Sequence, residues 1–158
     1  MTRNGHEGTD RYPTVAAAVG RLRCLSCVID GEIAIVDDEV RAVFDRLQEG
    51  ARIKSDAILF AFDLVELDGQ DLRREPLLTR KTTLLSLLKA APHGILYNEH
   101  IEGDGAMIFR HACRLGCEGI VSKRADSPYR SGQSRDWLKV KNPATIEQQR
   151  IRSENWNK

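Results

Sequence analysis

The chain lacks the hydrophobic segments that would place it in or across a membrane. None of its apolar runs approaches the ~20 residues that a transmembrane helix needs, although 41% of its 158 residues are hydrophobic. The first residues, MTRNGHEGTDRYP, contain no apolar core of the kind found in secretory signal peptides. We therefore predict a cytoplasmic protein, whose length fits one domain with a packed core.

The chain also lacks a strong net charge, because 24 basic residues nearly balance 23 acidic ones and leave +1. Any surface that binds nucleic acid must then be a local basic patch. One stretch meets this condition, since residues 119–142 carry six lysines and arginines beside two aspartates. Its cations are Lys123, Arg124, Arg130, Arg135, Lys139 and Lys141. The stretch predicts an anion-binding site.

The apolar patterns predict an α+β domain of mainly antiparallel sheets with flanking helices, because strands and helices do not alternate strictly. The segment AILFAFDLVEL, residues 57–67, is nearly all apolar, as a strand covered on both faces would be. The other predicted strands are residues 26–36, 95–101, 118–123 and 136–141.

Three helices are predicted from apolar spacing and from residues that start or end helices. Pro13 stands near the first turn of a short helix. Asp104 can cap another helix, which Gly116 ends. The remaining helix follows Pro76 and has leucines at helical spacing: Leu77, Leu84, Leu85 and Leu88.

Four cysteines stand in two close pairs, Cys24 with Cys27 and Cys113 with Cys117. Such pairs are compatible with a zinc site or a redox pair. They are also compatible with small reduced side chains in a cytosolic core. The second interpretation is favoured, because no histidine is close in sequence to the first pair and the second pair falls at the end of a predicted helix.

Strand parity places two lysines of the basic stretch together. In WLKVK, Trp137, Lys139 and Lys141 share one face of the strand. Two ammonium groups about 7 Å apart at the backbone repel each other unless an anion bridges them. The alternative is a solvated edge strand whose lysines protect against aggregation.

Two glutamates suggest that a metal ion accompanies the anion. In IDGEIAIV, Glu32 shares a face with the small Ala34, and Glu118 opens a later strand. Carboxylates beside lysines suit a site that binds a metal and a polyphosphate together, although either glutamate also fits a surface acid paired with a nearby lysine. In an ideal strand Glu118 and Lys123 lie on opposite faces, so a shared ligand requires the strand to end or bulge between them.

Phe62 lies within the apolar run of residues 57–67, which Asp63 interrupts with a charge. A core position is one interpretation of this phenylalanine. The other is a position at the open face of the sheet, where a purine base can stack on the ring.

Five segments, in this order, resemble the nucleotidyltransferase domain of ATP-dependent DNA ligases, and most of all the ligase domain of bacterial non-homologous end-joining ligases. TRNG resembles the first DNA-contacting motif, DGE the third motif and FAFDLVELDGQDLR the adenine-stacking segment. EGIVSK resembles the fourth motif and WLKVK the fifth. The resemblance runs from Thr2 to Pro143 and implies an incomplete form of the fold that DNA ligases share with capping enzymes.

The resemblance implies a role for each matching residue. Glu32 would bind the nucleotide ribose or support the metal, and Phe62 would stack on the adenine. Glu118 would help to bind the metal. Lys139 and Lys141 would hold the α-phosphate of ATP or AMP.

The resemblance implies roles for further residues at the nucleotide and at the DNA. Lys123 would lie close to the α-phosphate of ATP or AMP and complete the catalytic set. Arg3 would contact a DNA phosphate near the nick, and Arg130 and Arg135 would add DNA contacts. The implied cofactors are ATP or AMP and Mg²⁺ or Mn²⁺. The implied partner is nicked or broken double-stranded DNA, with other end-joining proteins or a complementing ligase segment as further partners.

The sequence departs from the family at the first chemical step. Family enzymes attack ATP with the lysine of a K-x-D-G motif that lies before TRNG. No lysine of this chain stands in that motif, because Lys54, in KSDA, is followed by alanine where glycine belongs. We therefore expect a partial catalytic domain, residues 1–143, with a polar tail at residues 144–158, no OB-fold domain and no self-adenylation.

Three other functions are compatible with this departure. The chain would still suit the sealing of a nick that already carries a 5′-adenylate, because that step needs no lysine nucleophile. It would also suit a non-catalytic module that binds a nucleotide or a DNA end. The third possibility is a fragment that works only with a complementing chain.

Overall fold

The structure, a computed structural model, describes residues 5, 7–36, 47, 53–132 and 134–146. Its elements are α1 (Pro13–Val19), β1 (Cys27–Ile35), β2 (Ala57–Leu67), β3 (Gln70–Asp71), α2 (Leu77–Leu88), β4 (Ile95–Tyr97), α3 (Gly105–Arg114), β5 (Gly119–Lys123) and β6 (Trp137–Lys141). Each predicted strand and helix is present, so the α+β prediction is confirmed. No helix in the described part of the chain is long and apolar enough to cross a membrane.

The chain divides into two units, residues 1–99 and residues 100–158. In the first unit, β2 pairs antiparallel with β1 and β3, and β4 runs parallel to β2. The central position of β2 explains its apolar sequence, because Ala61 and Leu64 are completely buried. The sheet therefore supplies the core of this unit, with α1 and α2 packed against β2.

A β-bulge interrupts the pairing of β1 with β2 at Phe62. Asp30 lies opposite Asp63 and Gly31 lies opposite Ala61, which leaves Phe62 as the extra residue. A bulge bends its strand and changes the direction of the side chain there, and bulges are frequent next to active sites. Simple alternation therefore does not describe β2 at the residue predicted to bind a base.

Helix α2 buries charged residues together with its leucines. Of the four leucines at helical spacing, Leu77, Leu84 and Leu88 are buried, whereas Leu85 is exposed. Arg80 and Lys81 lie three and four residues after Leu77, on the same stripe of the helix, and both are buried. The apolar pattern alone did not reveal these two cations.

The second unit consists of α3 and a two-stranded antiparallel sheet of β5 and β6. The Asp104 carboxylate accepts hydrogen bonds from the backbone N–H groups of Ala106 and Met107, at 2.7 and 3.0 Å, and so caps α3 as predicted. Gly116 follows the helix with φ 75°, the left-handed conformation that often ends helices. Asp104 therefore sets the start of α3, and Gly116 marks the point where the chain leaves α3 towards β5.

Candidate functional site

One face of the β5–β6 sheet carries the predicted lysines. Lys139 pairs with Val121 and Lys141 pairs with Gly119 in the antiparallel register. Residues that are directly opposite in such a register project to the same side, so Trp137, Lys139 and Lys141 share a face, as strand parity predicted. Both lysine side chains are exposed on that face.

Glu118 bridges the two lysines. Its Oε1 atom lies 3.8 Å from Nζ of Lys139 and 3.8 Å from Nζ of Lys141. The bridging anion that strand parity required is therefore a carboxylate of the chain itself. The parity conflict between Glu118 and Lys123 does not arise, because β5 begins at Gly119 and Glu118 lies just outside the strand.

The backbone beside Glu118 is held closely on both sides. A Cβ atom on Gly119 would lie 2.2 Å from the carbonyl oxygen of Val140, so only glycine allows this approach of the strands. The Glu118 carbonyl accepts hydrogen bonds from the backbone N–H of Asn142, at 2.7 Å, and from the Thr145 hydroxyl, at 3.3 Å. The glutamate therefore projects from a fixed point.

Asn142 was not predicted to support the site. Its side-chain amide donates to the Cys117 carbonyl at 3.1 Å, and its side-chain oxygen accepts from the backbone N–H of Ala144 at 3.1 Å. Asn142 thereby caps a helical turn at residues 143–146 and ties it to the residue before Glu118. The signal in the sequence was Asn142 followed by Pro143, a typical helix start.

Lys123 lies at the other end of the same sheet face. It pairs with Trp137 in the register, and its Nζ atom lies 3.7 Å from the centroid of the indole ring. The indole in turn meets the Tyr129 ring edge-on, with the centroids 6.1 Å apart. Lys123 therefore makes a cation–π interaction with Trp137.

The arginines of the basic stretch fall into two groups. Arg124 lies 3.0 Å from Asp126 and 3.7 Å from Asp136, so the two aspartates of the stretch both pair with one arginine. These interactions raise the pKa of Arg124, with the hydrogen bond to Asp126 as the largest cause. Arg130 and Arg135 are exposed in the connection between β5 and β6. Arg3 lies outside the described residues.

In the first unit, the predicted nucleotide-binding residues lie on neighbouring strands. Glu32 is exposed on β1 and lies opposite Phe60 of β2. Phe62, two residues further along β2, is partly buried and occupies the bulge. A partly exposed ring at a bulge fits a base-stacking position better than a closed core position does.

A buried ion pair begins at the residue after Phe62, and only indirect signs of it are present in the sequence. Asp63 and Arg80 are completely buried, with Nε of Arg80 2.7 Å from Oδ1 and Nη2 2.8 Å from Oδ2 of the carboxylate. Such bidentate pairing satisfies both charges. Lys81 donates to the Asn98 carbonyl at 3.0 Å, and burial lowers the pKa of its ammonium group. The signs were Asp63 within an apolar strand and Arg80 on an apolar helix stripe.

The four cysteines carry free thiols. Burial, with a smaller effect of the neighbouring Cys24, raises the pKa of the Cys27 thiol to about 12. A thiol with such a pKa is a poor nucleophile at neutral pH. Among the described residues, no three histidine, cysteine, aspartate or glutamate side chains cluster as metal ligands.

Comparisons with known proteins agree with the resemblance seen in the motifs. A family model described as "ATP dependent DNA ligase domain" matches residues 1–141. A multifunctional non-homologous end joining protein LigD of Pseudomonas aeruginosa is 36% identical over 144 residues, which cover 89% of this chain and 17% of that protein.

Solved structures also match the fold. The ligase domain of Mycobacterium tuberculosis LigD has a TM-score of 0.72 at 31% identity, over 88% of this chain and 46% of that one. A mycobacterial DNA ligase D complexed with ATP and MES has a TM-score of 0.75 at 31% identity, over 89% and 46%. This chain thus spans just under half of each of these two solved chains and less than a fifth of the P. aeruginosa protein. On the match over residues 1–141, the chain belongs to the family of ATP-dependent DNA ligase domains.

Proposed function

We propose that the chain is part of the catalytic domain of a DNA ligase that joins nicked or broken DNA in end-joining repair, and that its β5–β6 face holds the α-phosphate of ATP or AMP. The observation that carries this proposal is the convergence of Lys139 and Lys141 on one carboxylate oxygen of Glu118. Two ammonium groups that share one anionic oxygen form a ready-made site for a phosphate oxygen. Cations so placed stabilise the negative charge that builds up during phosphoryl transfer.

The resemblance also predicts nucleoside-binding residues within the first unit. Phe62 offers a partly exposed ring to the adenine, and Glu32 is exposed on the adjacent strand, where it suits a ribose hydroxyl. Lys123 would support the phosphate from the end of the β5–β6 face. A cytoplasmic location stays a prediction from the sequence.

The residues at the lysine pair fit a hard divalent cation such as Mg²⁺. This ion commonly binds through one or two carboxylates together with substrate phosphates and water. Glu118 supplies one exposed carboxylate beside the proposed phosphate position. When bound, the metal would neutralise charge on the phosphates. Glu118 would hold it, while Lys139 and Lys141 orient the phosphate.

DNA would bind through its phosphates. Arg130 and Arg135 are exposed beside the lysine face, in the β5–β6 connection, and Arg3 is the third predicted contact. Phosphate contacts position a duplex without reading its sequence. Affinity should therefore be independent of sequence and should fall steeply as salt is added.

The proposal includes no self-adenylation by these 158 residues alone. No lysine stands in K-x-D-G. The one partial match, Lys54, is nearly buried at 6% exposure, and its backbone N–H donates to the Arg11 carbonyl at 2.8 Å. A buried amine is badly placed to attack the α-phosphate of ATP. Incubation with labelled ATP and Mg²⁺ should give no protein–AMP band on a denaturing gel, and a stoichiometric band would refute this part.

The phosphate site is tested by a double variant, Lys139→Ala/Lys141→Ala, in an ATP-binding titration. We expect the affinity for ATP to fall by at least about tenfold, because two charge-assisted contacts are removed. The matched control is Arg110→Ala/Arg114→Ala, which removes the same charge from exposed positions of α3 in the same unit. Equal affinities of the two double variants would remove the phosphate site from Lys139 and Lys141.

A second experiment is a ligation assay on DNA that carries a pre-adenylated nick. If Glu118, Lys139 and Lys141 support the sealing step, the chain should release AMP and join the strands slowly, and the double lysine variant should not. Absence of product above background would leave the chain as a module that binds nucleotide or DNA ends.

A further inference from the structure

Glu118 occupies the position at which a bound phosphate would neutralise the two lysines. A single oxygen, Oε1, lies at the same distance from both ammonium groups, 3.8 Å. We propose that Glu118 is the internal counter-ion of the Lys139–Lys141 pair, and that an incoming phosphate must displace it. This inference rests on the proposed function, because it concerns the same two lysines.

The contacts of the Glu118 side chain are suited to exchange. At 3.8 Å neither contact is a hydrogen bond, so the attraction is coulombic only. The carboxylate side chain is 37% exposed and the two lysine side chains are 60% and 46% exposed, so water screens the pairs. Exposed pairs of this kind contribute little stability. A dianionic phosphate, with more charge and more acceptor oxygens, should therefore displace the single carboxylate oxygen.

The backbone around Glu118 allows the side chain to turn while its base stays in place. The Glu118 carbonyl is held by Asn142 and Thr145, and the next residue, Gly119, is packed against the Val140 carbonyl. These contacts all involve backbone or neighbouring residues. Only the exposed part of the side chain changes partners when the lysines are released.

The two roles of Glu118 exclude each other at any one moment. A carboxylate oxygen that bridges the lysines opposes a phosphate at the same place by charge repulsion. A carboxylate that has turned to a divalent cation no longer does so. Glu118 should therefore compete with phosphate when no metal is present and assist phosphate binding when Mg²⁺ is present.

The test is calorimetric titration of the chain with inorganic pyrophosphate, first in EDTA and then in Mg²⁺. In EDTA, Glu118→Gln should bind pyrophosphate about three- to tenfold more tightly than the unmodified chain, since up to two weak ion pairs no longer compete. In Mg²⁺ the order should reverse, because the glutamine is a poorer metal ligand.

The matched control is Asp126→Asn, which removes one negative charge from the same basic stretch. Asp126 pairs with Arg124, so its loss leaves the lysine pair unchanged. We expect its affinity for pyrophosphate in EDTA to change by less than about twofold. An equal gain in this variant would reduce the effect to net charge and overturn the proposal.

Two further results would overturn it. One is equal affinity of Glu118→Gln and the unmodified chain in EDTA, the outcome expected if Glu118 is a metal ligand only. The other is a gain that persists in Glu118→Gln/Lys139→Ala/Lys141→Ala, which would place the phosphate elsewhere. If Glu118→Gln does not fold by circular dichroism, Glu118→Ala takes its place. A different result would be pyrophosphate binding in Mg²⁺ that is unchanged in Lys139→Ala/Lys141→Ala. That result would contradict the proposed phosphate site itself.

Discussion

Each unit contains an acid–base contact, and the two contacts are of opposite kinds. In the first unit, Asp63 and Arg80 are fully buried and joined by two short hydrogen bonds, at 2.7 and 2.8 Å. In the second unit, Glu118 lies 3.8 Å from two lysines on an exposed face. The first contact has all of its partners inside the protein. The second leaves charge available to a ligand.

The difference shows which charges hold the fold and which are available for binding. A buried charge that loses its partner cannot be solvated, so the Asp63–Arg80 pair must remain intact for the sheet and α2 to stay packed. An exposed charge that loses its partner is solvated by water at little cost. The basic stretch could therefore be interpreted for function only after the internal partner of each cation was known.

The largest expected effect comes from breaking the buried pair on one side only. Arg80→Met should lower the free energy of unfolding by about 3–5 kcal/mol, because it leaves the Asp63 carboxylate buried without its cation. Urea denaturation measures this change. The control is Asp63→Leu/Arg80→Met, which removes both charges and should recover most of the loss. A loss below about 1 kcal/mol for Arg80→Met would mean that the pair is not buried as described.

The next effect concerns the backbone that supports Glu118. Gly119→Ala should destabilise the second unit by about 1–3 kcal/mol, because the added Cβ would lie 2.2 Å from the Val140 carbonyl oxygen and force β5 and β6 apart. The control is Gly105→Ala at the first residue of α3, where an added Cβ meets no atom within 4 Å. That change should be neutral or slightly stabilising. Equal thermal stability of the two variants would contradict the close strand approach.

A smaller effect depends on pH and concerns the cap of α3. Hydrogen bonds from the N–H groups of Met107 and Ala106 lower the pKa of the Asp104 carboxyl below 3.8. Its contribution to stability is therefore present above pH 3.8 and is lost as the pH falls through the lowered value. We expect the difference in Tm between the unmodified chain and Asp104→Ala to narrow on acidification. If the difference in Tm stayed constant down to the lowest pH at which the chain folds, a charged Asp104 cap would be excluded.

The smallest effect on stability is expected at Glu118, the residue at the centre of the proposed phosphate site. Glu118→Gln should change the free energy of unfolding by less than about 0.5 kcal/mol, because both of its ion pairs are exposed. The same variant should alter pyrophosphate binding several-fold. Both variants are measured by urea denaturation. If Glu118→Gln lost as much stability as Arg80→Met, Glu118 would be needed for folding, and the two contacts would not differ as described.

The sequence was sufficient for elements whose signals are local. Strand parity placed Lys139 and Lys141 on one face, and Asp104 and Gly116 marked the ends of α3 correctly.

The partners of buried charges could not be predicted from the sequence, because Asp63 and Arg80 are 17 residues apart and meet only after α2 packs on β2. The bulge at Phe62 was missed for a related reason, since it exists only in the register between two strands.

The family was also within reach of the sequence, because five motifs in order are specific even where each one is weak. The anion between the lysines was not. Parity required some bridging anion, and the motifs suggested a ligand phosphate. That Glu118 bridges them follows from where β5 begins. One residue of difference in a strand boundary lies below what a sequence pattern resolves.

The indole of Trp137 sits where events on the lysine face can be seen by light. Its ring lies against the Lys123 ammonium group and the edge of Tyr129, and the chain has only one other tryptophan, Trp156. Replacing Trp156 by phenylalanine would leave Trp137 as the single tryptophan, and its emission wavelength and fluorescence intensity depend on the cation beside it. Occupation of the neighbouring lysines could then be followed optically in real time, with no label attached.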